Sequence, residues 1–399
     1  MNINAIIGRD RELFSHDVAA NEKDLSAAIA GSRVLVFGGA GSIGKEVTAQ
    51  IFRRRPAALH VVDISENNLV ELVRDLRSSL GYIEGETRFL PLDFGGLETE
   101  AFVASQKPYD YVLNIAAMKH VRSEKDEFSL MRMVKTNILD TRKTLGQAIA
   151  SGAKKYFAVS TDKAKNPANL MGATKRIMED VIFGEAEGTK TAVSTARFAN
   201  VAFSDGSLLH GFRQRLLARQ PIAAPRDIRR YFVTGPESGM LCLSSLVLGA
   251  HREIFFPNLD AGLDLLTFSD IAVRFLRANN YEPVEVNSEE EARGRAGELI
   301  EQGKWPCYFF NSDTPGEKPF EEFYSGDDNV TFERFRDMGV ISAAKVSAEI
   351  ERLYRAFLCR TDAMRQAGRW SKADLASAIT TACPDLHHVE GKGSLDGKM

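Results

Sequence analysis

Uninterrupted apolar runs, not alternating ones, mark the first half of the chain. Arg33-Val34-Leu35-Val36-Phe37, Leu59-His60-Val61-Val62, Phe89-Leu90-Pro91-Leu92 with Asp93 as its expected last residue, Tyr109-Asp110-Tyr111-Val112-Leu113-Asn114, Tyr156-Phe157-Ala158-Val159 and Thr191 to Phe198 are each short and poor in charge. Runs of that kind suit strands covered on both faces, as in a parallel sheet with helices on either side. Segments of helical character separate them, Lys45 to Arg54 being the first. The pattern predicts an α/β fold with a doubly wound parallel sheet over residues 32–200.

After residue 200 the pattern loosens. Gln220-Pro221, Ala224-Pro225 and Gly235-Pro236 punctuate a region of short elements. Glu237 to Gly249 reads as a helix, Glu253 to Phe256 as a returning strand, and Thr267 to Ala278 as a helix capped by Thr267 or Ser269. The acidic stretch 280–305 predicts an exposed helix, Glu289 to Gln302, and Ser347 to Leu358 is amphipathic. The expected division is an N-terminal helical arm (1–31, with Leu25, Ala28 and Ile29 at helical spacing), the sheet domain (32–200), a smaller mixed α/β lobe (201–345), and a C-terminal helical extension with a frayed tail from Lys392 (346–399).

The first strand runs straight into Gly38-Gly39-Ala40-Gly41-Ser42-Ile43-Gly44, then a helix, then a second strand ending in Asp63. Strand, glycines, helix, strand and acid in that order form the dinucleotide fingerprint of a Rossmann-type fold. The glycines allow a tight turn and let a pyrophosphate approach backbone N–H groups at a helix N-terminus. Asp63 suits adenosine ribose hydroxyls and would repel a 2′-phosphate, so NAD is expected over NADP.

A second cluster follows the fifth strand: Ser160-Thr161-Asp162-Lys163-Ala164, Asn166-Pro167 and Met171-Gly172-Ala173-Thr174-Lys175. Ligands of open α/β sheets bind beyond the carboxyl ends of the strands, which is where this hydroxyl, carboxylate and ammonium fall. A carboxylate beside an ammonium can divide acid and base duties.

Composition narrows the remaining possibilities. A chain of 399 residues with 44% hydrophobic content can bury a large core, and a net charge of −3 argues against a basic nucleic-acid binder. Cys242, Cys307, Cys359 and Cys383 lack zinc-like spacing, so reduced thiols and no metal site are expected. His387-His388 reads as solvated tail. Without a signal-like start or a membrane-length apolar run, the expectation is a soluble cytoplasmic protein.

Taken together, these motifs resemble the nucleotide-sugar 4,6-dehydratases that act on N-acetylglucosamine nucleotides, within the extended short-chain dehydrogenase/reductase superfamily. The resemblance continues through Ala116-Ala117-Met118-Lys119-His120-Val121, Ala196-Arg197-Phe198-Ala199-Asn200-Val201, Arg230-Tyr231-Phe232 and Pro315-Gly316-Glu317-Lys318. The longer signature His120 to Asp126 is similar to a soluble subgroup associated with bacterial nonulosonic (legionaminic-type) sugar pathways. Short-chain dehydrogenases usually carry Tyr-x-x-x-Lys; here Met171 stands in the tyrosine position and Lys175 remains, as in some polysaccharide-biosynthesis members.

The resemblance implies a redox-neutral elimination. Hydride leaves sugar C4 for NAD, the ketone acidifies the C5 proton, hydroxide departs from C6, and the hydride returns to C6 to give a 4-keto-6-deoxy sugar. It implies Asp162 as the acid for the departing hydroxyl, Lys163 as the base at C5, Thr161 at the C4 hydroxyl and Lys175 on the nicotinamide ribose. With no phenol available, a water ordered by Thr161 and Asp162 is expected to take the C4 proton. Cofactor contacts fall to Gly38, Gly41, Ser42, Ile43, Gly44, Asp63, Asp93, Ala116, Ala117, Lys119, Lys175 and Val201. Val134 to Asn137 would form the asparagine-bearing helix that supports the site. Lys119, Asn200, Arg230 and Glu317 would meet a UDP- or GDP-linked N-acetylglucosamine, and a homo-oligomer formed through helices flanking the sheet is implied. A 4-epimerase and a non-catalytic NAD-binding protein are the alternatives; Asp162-Lys163 favours dehydration.

Overall fold

In the computed structural model, which describes residues 2–258, 265–312 and 322–388, the six apolar runs become six parallel strands. They are β1 (Arg33–Phe37), β2 (Ala58–Asp63), β3 (Glu86–Pro91), β4 (Tyr111–Asn114), β5 (Lys155–Val159) and β6 (Ala192–Ala196). The order across the sheet is β3-β2-β1-β4-β5-β6, then the returning strand Glu253–Pro257, also parallel. Met338–Ser342 and the two-residue strand Val330–Thr331 close that side in antiparallel pairing, giving nine strands among the described residues. The order reverses between β1 and β4, which opens a crevice above their carboxyl ends. β1, β2, β4 and β5 are buried along nearly their whole length, which explains why they read as unbroken apolar runs.

β3 begins three residues before the expected Phe89 and ends at Pro91, so Asp93 lies beyond the strand in the following turn. The strand is half-exposed on the sheet edge, and its charged Glu86 and Arg88 interrupt the apolar pattern over its first half.

A separate core forms the lobe. Glu282–Val286, Lys304–Phe310 and Ile222–Pro225 make a three-stranded parallel sheet, and the helix Glu289–Glu301 connects the first two. The helix was expected but the strands on either side were not, because Glu282, Pro283, Glu285, Lys304 and Pro306 interrupt their apolar residues. Thr267 caps the helix Phe268–Ala278 through its side chain, as its spacing predicts.

The N-terminal segment is helical, and it is stapled to the body. Ile6 and Ile7 enter the lobe core, while Leu13, Phe14, Leu25 and Ile29 enter the main core. Arg9 donates to both oxygens of the buried Glu237 at 2.8 and 2.7 Å, and Arg11 does the same to Asp337 at 2.9 Å each. At the other end, the helix begun near Ser347 runs on to Ala367, and a second helix, Lys372–Ala382, follows it. No helix among the described residues is long and apolar enough to cross a membrane, and no His, Cys, Asp or Glu cluster there could hold a metal ion.

Candidate active site

The crevice above β1, β4, β5 and β6 is a single cavity of about 860 Å³. One wall is backbone. Gly38 adopts φ +71°, a left-handed conformation that favours glycine, and a Cβ there would lie 2.5 Å from the Ala116 nitrogen. A Cβ on Gly44 would strike the Gly38 carbonyl oxygen. These two positions therefore need glycine so that the loop can fold against the next strand end and start the helix Gly44–Phe52 beside the cavity. Gly41, Ser42 and Ile43 complete the loop, and Ala116 and Ala117 extend the wall from the end of β4.

Asp63 ends β2 at the rim, its carboxylate accepting from the Ala40 and Ser65 N–H groups at 3.0 Å each. One bond per oxygen leaves acceptor capacity for a diol. Asp93 also lines the cavity; its Oδ1 accepts from Gly95 N–H at 3.1 Å and its Oδ2 lies 3.5 Å from Lys135.

The opposite wall carries the chemistry. β5 ends at Val159, and Ser160 to Lys163 follow at the cavity floor. Asp162 is buried, and its Oδ1 accepts three hydrogen bonds: Thr161 Oγ1 at 2.7 Å, Lys163 N–H at 2.9 Å and Lys163 Nζ at 3.2 Å. The helix Leu170–Ala186 then presents Met171 and Lys175 to the same space. Lys175 Nζ donates to the Val159 carbonyl at 3.0 Å, and burial pushes its pKa down to about 8, with Glu179 opposing the shift. At neutral pH it remains an ammonium, with protons left for a ligand.

Two buried networks fix these walls. Asn137 sits on a π-helical turn, Lys135–Leu139, where the expected helix bulges. Its side chain accepts from Met118 N–H and donates to Met118 O, both at 2.9 Å, and donates to Thr174 at 3.0 Å. Beneath the β5 end, Glu179 accepts from Ser160 Oγ at 2.7 Å and from Arg197 at 3.0 and 2.7 Å, and Arg197 reaches the Phe323 carbonyl at 2.7 Å. Burial opposes the charge on Glu179, yet Arg197, Arg176 and Ser160 hold its carboxyl below the usual range.

From the lobe side come Asn200, Val201 and the turn Ser204–Ser207. Ser42 Oγ donates to Asp205 at 2.9 Å and accepts from the Asp205 N–H at 2.8 Å, joining the glycine loop to the lobe. Lys119 projects into the cavity, so it is open to solvent yet flanked by protein. Burial lowers its pKa, with Asp205 opposing. Its neighbour His120 is pushed down by burial and then by Lys119 and Arg122.

The predicted residues thus gather in one place, with two exceptions. Arg230 is buried on a two-residue strand, donates to the Arg229 carbonyl at 2.8 Å, and is not among the cavity-lining residues. Glu317, with the rest of Pro315 to Lys318, lies outside the described residues. Sequence reasoning did not assign His120, Ser204, Asp205 and Lys135 to the site, although all four line it. His120 and Lys135 lie inside motifs read from the sequence, and Ser204-Asp205 follows the Asn200-Val201 motif, which was the available signal.

Residues 34–343 match the family described as polysaccharide biosynthesis protein. The chain belongs to that family. It is 29% identical over 309 residues to the probable polysaccharide biosynthesis protein EpsC of Bacillus subtilis, covering 76% of this chain but only 47% of that relative. It is 31% identical over 238 residues to a UDP-N-acetylglucosamine 4,6-dehydratase (inverting) of Campylobacter jejuni, covering 57% of this chain and 67% of the relative. The fold matches that of DesIV, a dTDP-glucose 4,6-dehydratase from Streptomyces venezuelae solved with NAD bound, with a TM-score of 0.56 and 18% identity. That match covers 85% of this chain and 99% of DesIV.

Proposed function

We propose that this protein is an NAD-dependent nucleotide-sugar 4,6-dehydratase that converts a nucleotide-linked N-acetylglucosamine to its 4-keto-6-deoxy derivative. The coarser reading, a nucleotide-sugar-modifying enzyme of the extended short-chain type, has the support of both dehydratase relatives and fold neighbours. The observation that carries the finer reading is the convergence of three donors on Asp162 Oδ1 within a cavity that also holds the glycine loop and Lys175.

NAD fits the residues present: a glycine-lined cradle that a Cβ would fill, an acid with free acceptor capacity at the β2 end, and a buried ammonium at the β5 end. When bound, it accepts hydride from the sugar and returns it. Gly38 to Gly44 would face the pyrophosphate, Asp63 the adenosine ribose and Lys175 the nicotinamide ribose.

The chain's own chemistry then concerns protons. Thr161 hydrogen-bonds the C4 hydroxyl and passes orientation to Asp162 through their 2.7 Å contact. Lys163 and Asp162 are 3.2 Å apart, close enough to share a proton. Its transfer from ammonium to carboxylate produces a neutral amine and a neutral acid together, and closing the cavity to water favours this uncharged pair. The amine takes the C5 proton, and the acid protonates the departing C6 hydroxyl. Met171 contributes no proton, so a water held by Thr161 and Asp162 takes the C4 hydroxyl proton. The Lys163 ammonium returns a proton to C5 as hydride adds at C6, and the proton held by that water then restores the ammonium.

Incubation with UDP- and GDP-N-acetylglucosamine, followed by mass spectrometry and NMR, tests the reading. Loss of one water and a C4 ketone are expected. A product of unchanged mass with inverted C4 would replace the proposal with an epimerase.

A further inference from the structure

The two C-terminal helices, Ala348–Ala367 and Lys372–Ala382, lie beyond the family match, which ends at residue 343, and they contribute nothing to the cavity. They nevertheless bury Tyr354, Phe357, Leu358, Leu375, Ile379 and Ala382. Much of that surface lies against the back of Leu170–Ala186, the helix whose front carries Met171 and Lys175. The approach is close: a Cβ on Gly184 of that helix would lie 2.5 Å from the Tyr354 hydroxyl. Glycine at this position lets the aromatic ring lie against helix backbone.

Two further contacts reach the front of the molecule. Trp370, between the two helices, donates from its indole nitrogen to the Glu127 carbonyl at 3.1 Å and packs edge-on against Phe128. A few residues upstream, Glu124 accepts from the Met171 N–H at 3.1 Å and so helps cap the site helix. Beyond the second helix, the His387 N–H donates to the Pro167 carbonyl at 3.0 Å. The His387 side chain is exposed, as expected of the tail, but its backbone is tied to the loop between Lys163 and the site helix. That loop holds Asn166 at φ +48°, a left-handed conformation that costs energy for a residue with a Cβ and persists only where the surroundings hold it. Next to it, Asn169 caps the helix by accepting from the Gly172 N–H at 2.8 Å.

We propose that the C-terminal helix pair is a positioning element for the site. It clamps the back of the site helix and, through His387 and Trp370, holds the 164–171 loop so that Lys163, Met171 and Lys175 stay in register. The inference rests on the dehydratase reading only for its kinetic consequence. The mechanical claim stands on the contacts alone. A 1 Å misplacement from a remote change can cost catalysis heavily without weakening binding.

His387→Pro tests the tether, because proline removes the donating N–H; His387→Ala, which keeps it, is the control. In hydrogen exchange on the full chain, His387→Pro is expected to speed exchange of the 168–174 amides roughly tenfold, while His387→Ala leaves them at the wild-type rate. With UDP-N-acetylglucosamine, His387→Pro is expected to lower kcat about fivefold at unchanged KM. Equal behaviour of the two variants in exchange would overturn the proposal. Should His387→Pro melt globally, Trp370→Phe removes the indole donor and keeps an aromatic ring. Faster exchange at 168–174 alone then supports the clamp, and wild-type exchange rejects it. If even the wild-type protein turns over no nucleotide sugar, the dehydratase reading fails, and the exchange comparison still decides the clamp.

Discussion

The two walls of the cavity differ in what they are made of. The wall from Gly38 to Gly44 and Ala116 is main chain, and it depends on side chains being absent. The wall from Ser160 to Lys175 is side chain, and it depends on particular groups touching: Thr161, Lys163 and their shared acceptor Asp162. Substitution on the first wall should block a ligand through bulk. Substitution at Thr161, Asp162 or Lys163 on the second should spare cofactor binding and remove chemistry.

That contrast can be broken most sharply at Asp162. Asp162→Asn keeps the shape of the acceptor but removes its capacity to gain a proton. Turnover of the nucleotide sugar should fall about 10³-fold, within the range for general acid–base catalysis. NAD affinity measured by calorimetry should hardly change, and a large loss of affinity would contradict the division between the walls. Beneath the second wall, Glu179→Gln leaves the buried Arg197 uncompensated. Chemical denaturation should show a loss of about 3 kcal/mol, as for other broken buried ion pairs. On the first wall, Gly38→Ala meets both the left-handed backbone and the Ala116 nitrogen. A cost of about 2 kcal/mol, from overpacking and strain, should weaken NAD roughly 30-fold.

The smallest effect concerns the outer side of the site helix. Burial pushes the Asp180 carboxyl up to about 6, with Glu179 and Asp385 adding to the shift and Arg176 and Arg197 opposing it. The folded state then holds that proton to higher pH than the unfolded chain does. Stability from this group is therefore present at about pH 4 and is lost as pH rises through about 6. Asp180→Asn should flatten that decline. Its advantage at pH 7 should be roughly 1 kcal/mol, below the ~3 kcal/mol that two units allow, since the Arg176 contact is given up too. Thermal melts of both proteins at pH 4.5 and pH 7 measure the difference.

The two walls also differ in how far they could be read from the sequence. The main-chain wall was legible because glycine spacing, a preceding apolar strand and a terminal acid are local and ordered. Thr161, Asp162 and Lys163 were equally legible as a consecutive set at a strand end. What joins them to the rest is not local. Glu179 and Arg197 are 18 residues apart and meet only after β5 and β6 pair. Asp205 meets Ser42 across 163 residues. The lobe strands were missed because Glu282–Val286 and Lys304–Phe310 interleave charges and prolines with apolar residues. The C-terminal helices do carry a stripe, Tyr354, Phe357, Leu358 and Thr361 on one and Leu375, Ala378, Ile379 and Ala382 on the other, but a stripe does not name the helix it packs against.

The edges of the central sheet have a consequence for how the protein behaves at high concentration. A sheet with unpaired backbone at its margin can recruit a strand from a neighbouring molecule. Here one margin is β3, whose Glu86 and Arg88 form an ion pair at 2.6 Å and whose last residue is Pro91. Among the described residues the other margin is Val330–Thr331, too short to template a partner. Charge and proline at one side and brevity at the other thus act as gatekeepers against sheet-to-sheet aggregation, although seven consecutive parallel strands lie between them.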